Sequence, residues 1–303
     1  LDAFFVVSIF TKYPPTRAMK KAIKLIECPR DAMQGIHHFI DTDLKAAYIN
    51  LLLQVGFDTL DFGSFVSPKA IPQLRDTREV LSKLELGSSA SKLLAIIANV
   101  RGAEEAILHP EISYLGFPFS ISETFQKRNT NSSITESFDT VKQILELCDK
   151  NQKTAVVYLS MGFGNPYGDE WNIEIVEKWA QELVDQGVKI LSLSDTTGVS
   201  TPEKIKTIVP PLIKRFKNTE IGVHLHSTPE TRLEKIQAAF ESGCTRFDSA
   251  LKGFGGCPMA ADDLTGNLAT EDLIGFIEHQ GIQLNLNMEK WAEAQQFSGR
   301  IFL

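Results

Sequence analysis

Eight short runs dense in Ile, Leu, Val and Phe recur along the chain, separated by longer stretches that include segments of helical spacing. They are Lys24–Cys28, Thr59–Phe62, Leu93–Ala98, Ile112–Phe117, Thr154–Ser160, Lys189–Ser194, Ile221–His226 and Arg246–Ala250. Several are almost continuously apolar, as strands buried on both faces should be; a half-exposed strand would alternate. Between them, Ile175, Val176, Trp179, Ala180, Leu183 and Val184 keep helical spacing across Ile173–Gln186, which stops at Gly187. Thr201 offers an N-cap with Pro202 at the first helical position, opening a helix that reaches Arg215. Strand–helix alternation repeated eight times predicts an α/β fold, a closed (β/α)8 TIM barrel in one domain. An open doubly wound sheet is the rival, but no glycine-rich nucleotide fingerprint follows the first run. The stretch after Glu271 reads as a final helix and a short C-terminal segment.

The barrel is expected to occupy residues 19–303. Residues 1–18 have no place in the eightfold repeat: the apolar Ala3–Phe10 runs into Tyr13-Pro14-Pro15, and Met19-Lys20-Lys21 resembles a natural start. The segment reads as a disordered or spurious extension, with a cleaved targeting segment as the alternative.

Charge narrows the function. The net charge is −7 and no basic run is present, which argues against nucleic acid as a partner. No run of about 18 apolar residues suggests a transmembrane helix, so no membrane partner is expected. Cys28, Cys148, Cys244 and Cys257 lie far apart without a C-x-x-C pair. That suits neither a disulfide framework nor a zinc module, and it fits a reducing cytoplasm.

Active sites of such barrels gather at the C-terminal ends of the strands. Arg30 and Asp31 stand there after the first run, Asp61 and Ser64 at the second, Asn99 after the third and Ser160 at the fifth. Asp195 ends the sixth, and His224 and His226 end the seventh. The two histidines, at i and i+2, share one strand face, and two imidazoles turned to the lumen make a divalent-metal clamp with Asp31 opposite. Imidazole plus carboxylate and amide oxygens suits Mg²⁺, Mn²⁺ or Co²⁺ better than structural zinc. Arg30 is either half of a buried ion pair, with Asp61 or Glu27, or a cation aimed at a developing oxyanion. Cys257, in the loop Lys252–Pro258 with its three glycines, is either a proton carrier or merely a small residue. Asn267 is either a helix cap or a metal-binding amide.

Taken together, these motifs resemble the 3-hydroxy-3-methylglutaryl-CoA lyase family, within the metal-dependent barrels that include isopropylmalate and homocitrate synthases. The likeness runs from about Lys24 to about Gly299. It is carried by Pro29-Arg30-Asp31 with Gln34, Gly63-Ser64-Phe65-Val66-Ser67-Pro68-Lys69, Ser194-Asp195-Thr196-Thr197-Gly198-Val199, Val223-His224-Leu225-His226, Gly253–Pro258 and Gly266–Asp272. The S-F-V-S-P-K and G-G-C-P stretches point to the lyase rather than the synthases. By that resemblance Asp31, His224, His226 and Asn267 hold a divalent metal, Mg²⁺ or Mn²⁺, and Arg30 stabilises an enolate. Cys257 is the catalytic thiol, His224 is a second candidate proton carrier, and Asp61, Asp195 and Glu271 support the site. The resemblance further implies an acyl-CoA thioester substrate, cleavage to acetyl-CoA and acetoacetate as in leucine degradation and ketone-body formation, and room for a homodimer.

The chain departs from the family pattern at three places: Ala32-Met33 where glycine and leucine are usual, Asp61 where glutamate is usual, and Met259–Leu264 where a tyrosine and a small, glycine-rich stretch are usual. These bear on the acyl group and the CoA contacts. A lyase for a longer branched 3-hydroxyglutaryl-CoA, an acetyl-CoA-dependent condensing synthase and a non-catalytic CoA-binding barrel are the rivals.

Overall fold

All eight expected strands form, at Lys24–Glu27 (β1), Thr59–Ser64 (β2), Lys92–Ile96 (β3), Ile112–Ser120 (β4), Thr154–Ser160 (β5), Ile190–Asp195 (β6), Glu220–Leu225 (β7) and Arg246–Ser249 (β8). The structure is a computed structural model that describes residues 10, 12–14, 22–87, 89–256 and 265–302. The strands pair in parallel in chain order, and β1 also pairs with β8, from Lys24 beside Arg246 to Glu27 beside Ser249. The sheet therefore closes into the (β/α)8 barrel. Among the described residues no helix is long and apolar enough to cross a membrane.

Local chemistry explains most element ends. Asn172 caps the helix Ile173–Asp185 by accepting from Ile175 N at 2.8 Å, and Gly187 beyond it takes φ 104°. Thr201 accepts from Lys204 N at 3.3 Å ahead of Pro202–Arg215, as its sequence predicts. Ser133 and Glu136 form a reciprocal capping box on the helix Ile134–Lys150.

Three features go beyond the sequence expectation. Arg30 and Asp31, expected only to follow the first strand, sit in a short helix, Pro29–Gln34, because Pro29 is pre-set for a first helical turn. β4 continues past its apolar run to Ser120, carried by an unbroken register with β5 from Tyr114–Thr154 to Ser120–Ser160. The C-terminal part makes three helices: Thr270–His279, Met288–Phe297 and Gly299–Phe302. Gly281, at φ 78°, interrupts the first two, and Asn287 caps the second through Lys290 N at 3.1 Å.

Two apolar cores result. The larger lies between strands and helices, and the smaller, Leu94, Ile96, Tyr114, Val156, Tyr158 and Ile190, lies among inward-facing strand residues. The lumen is thus packed below and open above, where the strands end.

Of residues 1–18, only Phe10 and Lys12–Pro14 are described, and the rest lie outside the described residues. Phe10 is buried in the larger core and stacks on His279 at 5.7 Å, while Tyr13 meets Phe276 edge-on at 6.4 Å. At these positions the segment packs, because aromatic rings find the apolar face of Thr270–His279. Phe10→Ala should cost about 3 kcal/mol and lower the thermal midpoint by several degrees in calorimetry. An unchanged midpoint would show the contact to be dispensable.

Candidate active site

The helix Pro29–Gln34 starts one residue past β1 and swings two charged side chains over the barrel mouth, with Arg30 7% and Asp31 4% exposed. Such burial requires partners for both. Arg30 donates from Nε to both Asp61 oxygens, at 3.1 and 3.0 Å, and from Nη2 to Asp61 Oδ2. Its Nη1 donates to Asp31 Oδ1 and to Gln34 Oε1, each at 2.9 Å. Gln34 Nε2 closes the ring by donating to Asp31 Oδ1 at 2.7 Å. Arg30 is thus ion-paired with Asp61, and it also lines the cavity. Glu27 is not its partner. That carboxyl accepts from Leu251 N at 2.8 Å and bonds Thr270 Oγ1, and burial pushes it up to about 8.

Across the mouth, β7 presents both histidines. His224 Nε2 and His226 Nε2 lie 3.2 Å apart, and with one Asp31 oxygen their ligand atoms all fall within 4.8 Å of one another. Two ring nitrogens and a carboxylate oxygen converging on one point match a divalent cation. Asp248 Oδ2 bonds His224 Nδ1 at 3.2 Å, the carboxylate–imidazole arrangement that orients a metal-binding ring.

Electrostatics agree with that use. Burial would raise Asp31, but Arg30 and the two histidines pull it down to about 2. Burial and the neighbouring His224 lower His226 to about 4, so its nitrogen is unprotonated near neutrality. Burial opposes charge on His224 too, yet the bond and charge of Asp248 raise it above its ordinary value. Burial pushes Asp61 up to about 6 against the pull of Arg30.

The remaining expected residues take different places around this centre. Asn267 donates from Nδ2 to Asp31 Oδ2 at 2.5 Å and to Phe254 O at 2.9 Å, while its backbone bridges to His226. It is not a helix cap, since the helix begins at Thr270 with Ala269 before it. Gly255, at φ 99°, packs against this pair: a Cβ there would come within 2.6 Å of Asp31 O and 2.8 Å of Asn267 Nδ2. Asp195 does not reach the ligand atoms. It accepts from Ser200 N at 3.0 Å and from Lys235 Nζ at 2.9 Å, and Lys235 also donates to His226 O at 2.7 Å. Glu271 accepts from Lys252 N at 2.9 Å, holding the start of the glycine loop. Asn99 caps the helix Val100–Ala106 instead of entering the site. Cys257 and Met259–Leu264 lie outside the described residues.

The sequence reading did not assign Gln34, Asp248 or Lys235 to the site. Gln34 had a signal in its spacing, four residues after Arg30 on one turn of helix. Asp248 and Lys235 had none, because strand register and helix packing choose their partners.

Above these groups opens a cavity of about 870 Å³, including its part open to solvent. Arg30, Asp31, His224 and His226 form its charged end, with Gln34, Asn129, Ser160, Ser194 and Thr196 as neutral polar groups. Val66, Ile71, Ile96, Pro118, Phe125 and Tyr158 supply apolar wall. The arrangement suits an extended ligand with oxygen atoms at one end.

Comparison with known proteins fits this geometry. The model of the HMGL-like family matches residues 22–297. The chain is 35% identical over 269 residues to the hydroxymethylglutaryl-CoA lyase YngG of Bacillus subtilis, covering 89% of each chain. A crystal structure of a Bacillus subtilis HMG-CoA lyase superposes with a TM-score of 0.87 at 33% identity, over 95% of both chains. An Acinetobacter baumannii HMG-CoA lyase in complex with coenzyme A and 3-methylmalate does so at 0.86 and 29%, over 95% of this chain and 93% of that one. The chain belongs to the HMGL-like family.

Proposed function

We propose that this chain is a hydroxymethylglutaryl-CoA lyase, cleaving 3-hydroxy-3-methylglutaryl-CoA to acetyl-CoA and acetoacetate. The observation that carries the reading is the charged end of the cavity, where Arg30 stands beside the convergent Asp31, His224 and His226. The relatives reported above carry the lyase name, which favours cleavage over condensation and the ordinary acyl group over a longer one. The buried free thiols of Cys28, Cys148 and Cys244 suit a reducing cytoplasm as the place of reaction.

A divalent cation, Mg²⁺ or Mn²⁺, held by Asp31, His224, His226 and the Asn267 amide oxygen, would supply Lewis acidity toward the substrate's tertiary hydroxyl. The chain's own groups manage proton and charge. The hydroxyl proton passes to a base, and the bond between the hydroxyl-bearing carbon and the carbon next to the thioester breaks. Its electron pair becomes the thioester enolate, and the hydroxyl-bearing carbon becomes the ketone of acetoacetate. The Arg30 guanidinium lies where it can pair with that enolate oxygen. Protonation of the enolate carbon then gives acetyl-CoA. Asp31, held near 2, is a weak proton acceptor, and His224 is committed to the cation and to Asp248, which leaves the thiol of Cys257 as the carrier.

A coupled assay for acetoacetate, with and without added Mn²⁺, tests the reading, and no product in either condition sinks it. Three further outcomes follow from the geometry. Arg30→Lys should lower kcat by about 10²–10³-fold, the size typical of losing one such donor, with little change in Mn²⁺ affinity. Weak metal binding with near-normal kcat would make Arg30 only an anchor for Asp31. Cys257→Ala should abolish most turnover at unchanged metal content; near-normal kcat would take the thiol out of the mechanism and leave the proton to a bound water. Metal binding should also depend on pH. A proton on His224 competes with the cation, and because its pKa is raised, competition begins above the ordinary 6.5 and grows as pH falls. The apparent Mn²⁺ dissociation constant should thus rise about tenfold per pH unit there, while His226 adds to the loss only near 4. A flat calorimetric profile from pH 8 to 5 would remove His224 from the ligand set.

A further inference from the structure

Arg246 opens β8 and is wholly enclosed, yet its Nε, Nη1 and Nη2 all lack a hydrogen-bond partner among the described residues. A buried guanidinium without a bonded anion is among the costliest groups a protein interior holds. The fold nevertheless makes room for it. Gly222 on β7 faces it, and a Cβ there would come within 2.9 Å of Arg246 Cδ and 3.1 Å of its Cγ. On another side the Tyr114 ring lies 5.8 Å from the guanidinium carbon.

Strand geometry shows what this cation faces. Arg246 and Asp248 are two apart on β8, so they share the inward face, and register sets Asp248 beside His224. Asp248 uses Oδ2 on His224 Nδ1 and keeps Oδ1 unpartnered. Tyr158 Oη and Ser192 Oγ, on the inward faces of β5 and β6, are unpartnered too. A cation and a carboxylate, each with free polar atoms, thus occupy successive layers of one lumen, Asp248 level with His224 and Arg246 one layer beneath. Groups of this kind are commonly joined by enclosed water.

We propose that Arg246 is a positioning residue for the metal centre: the counter-charge behind Asp248, joined to it through enclosed water, that anchors the His224 ring with Nε2 turned toward Asp31 and His226. The inference rests on the metal reading above and extends it one layer down the barrel. Arg246 touches neither ligand atom nor cavity, so its effect passes through Asp248. An arginine that only plugged the barrel floor would influence folding stability and nothing at the mouth.

Mn²⁺ affinity, read by calorimetry or by the electron paramagnetic resonance of the free ion, separates the two. Arg246→Gln should weaken Mn²⁺ binding about tenfold, the lower end for loss of an outer support of a metal ligand. Arg246→Lys, which keeps the charge, should stay within about threefold of wild type by the same measure. The double variant Arg246→Gln/Asp248→Asn should bind no more weakly than Asp248→Asn alone, since the arginine acts through that carboxylate. Wild-type affinity in Arg246→Gln, or additive losses in the double variant, overturns the proposal. Should Arg246→Gln fail to fold, Gly222→Ala, which pushes the arginine aside without removing it, should show a comparable loss, and wild-type affinity there is equally fatal. A wild-type protein that binds no Mn²⁺ fails the metal reading itself, before any variant is compared.

Discussion

The pairing of β1 with β8 is the contact on which the site depends. It joins the first strand to the last, and the contacts at the mouth between the two ends of the chain follow from that closure. Asn267 reaches Asp31 across 236 positions of sequence, and Gly256 O receives Gln34 Nε2 at 3.4 Å across 222. An open sheet of the same strands would leave Asp31 on one edge and Asp248 on the other. The closed one places Ile26 beside Asp248, so the carboxylate of Asp31 and the imidazoles of β7 meet over one lumen. Parallel strands also end together at one rim, which is why scattered polar residues become neighbours.

Closure has an electrostatic cost. It takes Arg30, Asp31, Asp61 and Asp248 largely out of water, and each would be untenable alone. The arrangement distributes the charge: Arg30 sits between two carboxylates and bonds both, while the Gln34 amide spends a donor on Asp31 and an acceptor on Arg30. Arg30, with Arg246 one layer below, still leaves one of the three carboxylates Asp31, Asp61 and Asp248 unbalanced. With His226 held neutral by burial and by its neighbour, the centre retains negative charge aimed at the point where the ring nitrogens converge. That excess is the physical reason a divalent cation fits here, and its binding would favour the folded chain.

Much of this was legible in the sequence, for identifiable reasons. Strands buried on both faces leave near-continuous apolar runs, so eight strands could be read from eight runs. The same-face rule made His224 and His226 a pair, and the rim rule added Asp31, Asp61 and Arg30. Illegible were the residues whose role depends on register or packing. Lys235 lies on the helix Arg232–Glu241 as one more basic side chain, and only packing carries its Nζ to Asp195 and to His226 O. Asp248 gains its meaning from standing beside His224 rather than from its own neighbours in sequence. Asn267 read equally well as a cap or a ligand, because the choice hung on where the following helix begins. The contact of Phe10 was illegible for a related reason: its own segment lacks periodicity, and the surface that receives it belongs to a helix far along the chain.

The departures from the family pattern that fall on described residues are changes of packing around a preserved charge layout. Met33 is fully enclosed in the larger core, and Ala32 is buried beside Gly255, so this pair alters the support of the helix Pro29–Gln34 while neither lines the cavity. Asp61 is the more demanding case, because a side chain one methylene shorter than glutamate must still meet Arg30. The pairing of β2 with β3 shifts register between Asp61 and Gly63, the mark of a β-bulge, and such a bulge re-aims the side chain beside it. The guanidinium turns both Nε and Nη2 to Asp61. A shorter acid is therefore compatible with the same ion pair when backbone and arginine share the adjustment, and the cationic fork stays at the end of the cavity where an enolate would form.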